Sequence, residues 1–104
     1  MIKLTILQLK DTKENHGYFY SSLRFLKKFG LKVELDRYRV VYTDELDVQD
    51  FEGNKMSILD QLFTTFNLNH PKDFRGHSLS VSDIVKLNDE YFFCDDFGWK
   101  KLEF

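Results

Sequence analysis

The last third of the chain, Asp73 to Leu102 (DFRGHSLSVSDIVKLNDEYFFCDDFGWKKL), leaves little freedom of fold. Ser80, Ser82 and Asp83 crowd in front of the β-branched run Ile84-Val85. Short polar side chains of this kind bond nearby backbone N–H groups and fix how a strand enters a sheet. Asn88-Asp89 is a two-residue break of the type that tolerates positive φ in a tight hairpin. Glu90 to Cys94 is then an aromatic return strand, and Asp95-Asp96-Phe97-Gly98 a second turn, with Gly98 free to turn left-handed. Trp99 to Phe104 completes a meander of three strands, and turns this short require antiparallel pairing. Leu79, Val81, Val85 and Leu87 share one parity. Asp83 falls on that same apolar parity, which predicts a bulge or bend beside it.

The run Asp73-Phe74-Arg75-Gly76-His77-Ser78-Leu79-Ser80-Val81-Ser82-Asp83-Ile84-Val85, followed by Phe93-Cys94-Asp95-Asp96-Phe97-Gly98-Trp99-Lys100, resembles the YodL-like domain. That family's pattern is roughly S-[LM]-S-V-[SG]-D-[VI]-[VI], then an aromatic strand ending in D-[SD]-[FW]-G-[FW]. Phe63-Thr64-Thr65-Phe66-Asn67 and Pro71-Lys72-Asp73-Phe74 resemble its F-x-x-F-N…P-x-D-[FY] segment. Leu4–Lys10 and Tyr38–Leu46 fit more loosely, and Cys94 and Trp99 depart mildly from the residue types expected there. The resemblance implies a setting on plasmids and conjugative elements of Gram-positive bacteria. It implies no particular chemistry.

A chain of 104 residues makes one domain, burying roughly 60–70% of its unfolded surface. Apolar residues at 42% and charged residues at 31% are those of a folded protein. Eleven Phe and five Tyr supply a core from few side chains. The single Cys cannot form an internal disulfide, and no signal peptide or apolar run of membrane-spanning length is apparent. The expectation is a cytoplasmic protein with no membrane contact. Charge is unevenly spread. Through Arg39 there are nine Lys/Arg against four Asp/Glu, and from Val40 six against thirteen. A basic and an acidic face follow unless the halves intermingle.

Ile2 to Leu9 reads as a strand apolar on both faces, hence a central one. Lys10 to Gly17 is a polar loop with His16 in solvent. Tyr18 to Phe29 is expected to be helical. Ser21 or Ser22 is its N-cap, Leu23, Leu26 and Phe29 its apolar stripe, and Gly30 its C-terminal stop. Arg24, Lys27 and Lys28 make a basic exposed face on it. Leu31 to Thr43 alternates at Val33 and Leu35 and again at Tyr38, Val40 and Tyr42. This predicts one strand bent near Asp36-Arg37, or two short strands. Asn54 caps a second helix over Lys55 to Phe66, with the stripe Met56, Leu59, Phe63 and Phe66 widened by Ile58 and Leu62. Asn67 to Pro71 ends it.

The expected architecture is therefore α+β: a mainly antiparallel sheet of about five strands with two helices, in the order β-α-β(β)-α-β-β-β. An SH3-like barrel built from the C-terminal meander is the alternative. Chemistry is sparse. Cys94 with His77 and Asp95 or Asp96 would suit a hydrolase only if they met in space. His70, His77, Asp95 and Asp96 lack the spacing of a zinc site. No catalytic residue, metal or cofactor is expected. With the mobile-element setting that the resemblance implies, the expectation is a non-catalytic protein-binding module, by analogy an anti-CRISPR or anti-restriction inhibitor of a host nuclease. Its contact residues would be the acidic run Asp44, Glu45, Asp47, Asp50 and Glu52, mimicking nucleic-acid phosphates, with Asp95, Asp96 and Phe97 at a turn tip. Direct nucleic-acid binding is the alternative, with Tyr91, Phe92, Phe93 and Trp99 stacking bases and the first helix supplying positive charge.

Overall fold

A computed structural model describes residues 1–68 and 70–104. The five strands are β1 (Ile2–Leu9), β2 (Tyr38–Leu46), β3 (Ile84–Leu87), β4 (Glu90–Cys94) and β5 (Trp99–Leu102). They form one open sheet in the order β2-β1-β3-β4-β5, with every neighbouring pair antiparallel. Two α-helices, α1 (Leu23–Lys28) and α2 (Lys55–Leu68), lie on opposite faces of it. This is the α+β architecture the pattern predicts. The barrel alternative does not form, because β1 inserts between β2 and β3 and the sheet stays open.

β1 is central and apolar on both sides. Ile2, Leu4 and Ile6 pack with Ile58, Leu59, Leu62 and Phe66 of α2. Leu9, with Leu7 beside it, packs with Leu26 of α1, Tyr18, Ile84 and Phe93. The meander follows its turn chemistry. Asn88 and Gly98 take φ of 54° and 72°. The Asn88 side chain accepts from the Lys3 N–H and its own N–H donates to the Lys3 carbonyl, both at 2.9 Å, which stitches the hairpin tip to β1. Ser82 N–H donates to the Cys94 carbonyl and Cys94 N–H to the Asp83 carbonyl, so two residues face one. That is the bulge anticipated beside Asp83.

Three local expectations are corrected. Helix α1 covers six residues and not twelve. Tyr20 takes a left-handed backbone (φ 59°) and donates its N–H to Ser82 Oγ, which breaks the helix before it can start at Tyr18. The rest of its ends form as predicted: Ser22 Oγ accepts from Phe25 N–H, and Gly30 (φ 70°) closes the helix with Leu31 N–H on the Leu26 carbonyl. Phe25 and Phe29 lie exposed, so Leu26 and Leu23 make the buried face. Leu31 to Glu34 forms no strand, and Leu35–Arg37 is a 3₁₀ turn.

The third correction concerns β2. Its pairing with β1 slips between Ile6 and Leu7, so Val41 is an extra residue. The slip divides the expected Tyr38-Val40-Tyr42 face. Tyr38 packs with α1's core, Tyr42 and Val41 pack with α2's, and Val40 is left exposed. In α2 the buried stripe is Ile58, Leu59, Leu62 and Phe66, while Met56 and Phe63 face outward. The Asn54 side chain donates back to the Asp50 carbonyl, and its own carbonyl accepts from Ile58 N–H. Of the predicted stop at Asn67–Pro71, residue Asn69 lies outside the described residues. The helix runs to Leu68.

Among the described residues no helix is long and apolar enough to cross a membrane. Leu59 is fully buried at the middle of α2, whereas Phe97 is 77% exposed. Chemical denaturation should therefore show Leu59→Ala losing about 2–5 kcal/mol, and Phe97→Ala changing stability by less than about 0.5 kcal/mol.

Candidate binding surfaces

Gln8 extends the Ile2-Leu4-Ile6 parity to the end of β1 and is completely buried. A buried amide must find partners for its oxygen and both N–H groups. Its Nε2 donates to the His77 carbonyl at 2.9 Å and to Asp83 Oδ2 at 3.0 Å. Its Oε1 accepts the His77 N–H at 3.1 Å. One side chain thus holds both faces of the His77 peptide, as a neighbouring strand would. Gly76 makes room for it: a Cβ there would lie 2.1 Å from Gln8 Oε1. Asp83 Oδ2 also accepts from Ser80 N–H at 3.0 Å. The Tyr38 hydroxyl donates to the Ser82 carbonyl at 2.6 Å, and its burial raises its pKa, which keeps it a donor. The specific motif of the chain is therefore a buried polar junction that fastens the loop 76–83 to β1 and β2.

Burial pushes the Asp83 carboxyl up to about 7, against the lowering effect of its bonds from Ser80 and Gln8 and of nearby His77. The ring of His77 is exposed, and its Nδ1 lies 2.7 Å from the Ser78 carbonyl. At that distance Nδ1 carries the proton and donates.

The acidic run does not act as one patch. Asp44 and Asp47 border a groove of about 590 Å³ between β2 and α2, whose walls mix apolar Leu46, Val48 and Leu62 with polar Gln49, Ser57 and Gln61. Among the described residues no Lys or Arg lines it. Asp44 Oδ2 accepts from the Tyr42 hydroxyl, and burial together with this bond pushes Tyr42 up to about 12. Glu45 is exposed on β2, an edge strand. Asp50 stands in a left-handed turn (φ 51°). Glu52 is paired with Lys55 at 3.0 Å, in a chain of ion pairs that runs on through Glu90 to Lys101.

The second predicted surface is partly structural. Asp95 Oδ1 accepts from Leu23 N–H at the start of α1, and Asp96 lies 3.8 Å from Arg24. Phe97 stands out from this turn, while Trp99 is 7% exposed and belongs to the core. Arg24, Lys27 and Lys28 are exposed on α1. Phe92 and Phe93 are buried and Tyr91 half-buried, so the sheet presents no stacking face for bases. Phe25 and Phe29 are exposed beside the basic residues of α1, with ring centroids 4.7 Å apart.

The other constellations do not assemble. Cys94 is buried in the α2-side core, and burial pushes its thiol up to about 12, which holds it protonated. His77 bonds to Ser78 and Gln8 instead. Among the described residues no three His, Cys, Asp or Glu side chains are arranged to hold a metal ion. Sequence reasoning passed over Gln8 and Gly76. The available signal was a lone amide on an otherwise apolar parity.

The family model for the YodL-like domain matches residues 3–104, which take in every element described above except the first residue of β1. The chain belongs to the YodL-like domain family. It is also similar to the uncharacterized protein R785 of Acanthamoeba polyphaga mimivirus, at 27% identity over 117 residues covering 98% of this chain and 94% of that protein. No solved structure matches it. In this member, the pattern from Gly76 to Asp83 is explained by the junction at Gln8.

Two outcomes test the junction. Gly76→Ala should cost about 1–3 kcal/mol or more in denaturant unfolding, because Gln8 must abandon its partners. Asp83 binds its proton more tightly folded than unfolded. Its contribution to stability is therefore full below its ordinary value of 3.8 and is lost as pH rises through about 7. Unfolding midpoints should fall from pH 5 to pH 8, and Asp83→Asn, which keeps an oxygen to accept both bonds, should flatten that slope.

Proposed function

We propose that this YodL-like domain is a non-catalytic binding module that takes a basic, partly apolar segment of a protein partner in the groove between β2 and α2. The observation that carries the reading is the composition of that groove: apolar residues such as Leu46, Val48 and Ile58 interleaved with neutral polar ones such as Gln49, Ser57 and Gln61, Asp44 and Asp47 at its border, and no cation among the described lining residues. Carboxylates beside a partly apolar cleft suit a Lys or Arg side chain, whose stem packs against carbon while its head meets the acid. Glu45, next along the edge strand, stands opposite Lys3 in the strand pairing and points to the opposite face, adding negative charge beside the groove without lining it.

A narrower form has the partner as a nuclease of a host defence system, its nucleic-acid surface covered by carboxylates that stand in for phosphates. The exposed Asp44, Glu45 and Asp47 support this form, and the occurrence of a relative in a viral genome is in keeping with it.

Peptide display against the purified domain tests the module directly. Enriched peptides should carry Lys or Arg beside apolar residues. The triple charge reversal Asp44→Lys, Glu45→Lys, Asp47→Lys should weaken them more than tenfold, about 1.4 kcal/mol, at unchanged fold. Equal binding by the triple variant would remove the groove from the mechanism.

A further inference from the structure

We propose that a second site, at the end of β1 and away from the acidic groove, binds a nucleoside monophosphate unit. The site is a hollow of about 410 Å³ lined by Leu9, Asp11, Phe19, Tyr20, Arg39 and His77. That volume is in the range of small-ligand sites, roughly 300–1,000 Å³.

Its walls are unusually constrained for exposed loops. His77 is held through both its N–H and its carbonyl by Gln8. Tyr20 arrives from the other side in a left-handed backbone, rare and costly for a bulky residue, and is fixed by its N–H to Ser82 Oγ. Ser82 itself has φ of 86°. The loop before Tyr20 is pinned in turn by buried Asn15, whose Nδ2 donates to the Lys10 and Arg37 carbonyls. A strained residue in the lining, Tyr20, hung on a second left-handed residue behind it, Ser82, is the kind of backbone outlier that points to a prearranged site.

The chemistry of the lining selects the ligand. Among the described residues Arg39 forms no ion pair, so its forked donors are free for a phosphate. His77 commits its Nδ1–H to Ser78, so Nε2 of the neutral ring accepts and suits a hydroxyl or amino donor of the nucleoside. Tyr20 is 64% exposed, with its ring centroid 6.0 Å from Phe19 and 6.3 Å from His77. Such a ring beside a cation is a platform for a base. Asp11 disfavours a bare polyanion but accepts hydrogen bonds from ribose hydroxyls. A base, a sugar and one phosphate use all of these groups, and inorganic phosphate uses only Arg39. The unit has two sources, a free nucleotide or the 5′ end of a single strand.

The test is NMR titration of the ¹⁵N-labelled full chain with AMP, adenosine, inorganic phosphate and a short DNA single strand with or without a 5′-phosphate. AMP or the phosphorylated strand should shift the amides of residues 9–11, 19–20, 39 and 76–78 saturably. Adenosine and phosphate should each bind at least tenfold more weakly. Tighter binding of the strand assigns the site to strand ends, and tighter binding of AMP to free nucleotides. Arg39→Ala should weaken binding at least tenfold, as should Tyr20→Gly, which keeps the left-handed backbone while removing the ring. No saturable shift at millimolar AMP or strand overturns the proposal. So does phosphate binding as well as AMP, or binding that survives both substitutions. None of these results bears on the Asp44–Asp47 groove, which has its own readout.

Discussion

One buried amide holds the loop structure of this domain together. Gln8 ends a strand whose other inward side chains are aliphatic, and it offers two donors and one acceptor where water cannot reach. All three are used, on the His77 peptide and on Asp83. Each group left unpaired would cost about 1–3 kcal/mol, so the loop 76–83 has no cheap alternative position. The demand propagates outward. Gly76 must lack a side chain, Asp83 must sit at an apolar position, and Ser82 must turn left-handed to bulge against Cys94. Tyr20 then hangs on Ser82 Oγ, and that contact sets where α1 begins.

The sheet separates what the chain carries. β1 is buried on both faces, so one helix covers each side, and the charge asymmetry of the sequence becomes spatial. The basic helix α1 lies on one face. The groove bordered by Asp44 and Asp47 lies with α2 on the other. The acidic half is not free everywhere, since Glu52 and Glu90 are answered by Lys55 and Lys101. Among the described residues Asp44 and Asp47, where β2 meets α2, form no ion pair, and neither do Asp60, Asp73 and Asp89. The hollow at the opposite end of β1 collects cation and aromatic instead. The acid-bordered cleft and the hollow with Arg39 and Tyr20 therefore lie apart.

Elements whose determinants are local were legible in the sequence. The meander follows from Asn88, Gly98 and the aromatic return strand, and α2 from its apolar spacing. β1 showed its central place through being apolar on both parities. What failed depends on partners distant in the chain. The length of α1 is decided by Ser82, sixty-two residues from Tyr20. The faces of Tyr38, Val40 and Tyr42 are decided by a slip against Leu7 that no periodicity within β2 announces. The acidic run looked uniform as a string, yet its members have separate fates, because Lys55 reaches Glu52 while Asp44 turns to Tyr42. Gln8 was visible and unread: a single polar residue on a buried parity is a junction until shown otherwise.

The claim that the junction at Gln8 governs the loop is tested most directly by native-state hydrogen exchange at the His77 amide. That residue is exposed and belongs to no strand or helix, so a free loop would exchange its amide rapidly. The bond to Gln8 Oε1 predicts protection approaching that of the amides in β1 and β3, lost selectively in Gln8→Ala. Rapid exchange of the His77 amide in the unmodified protein, with β1 and β3 protected, would contradict the account.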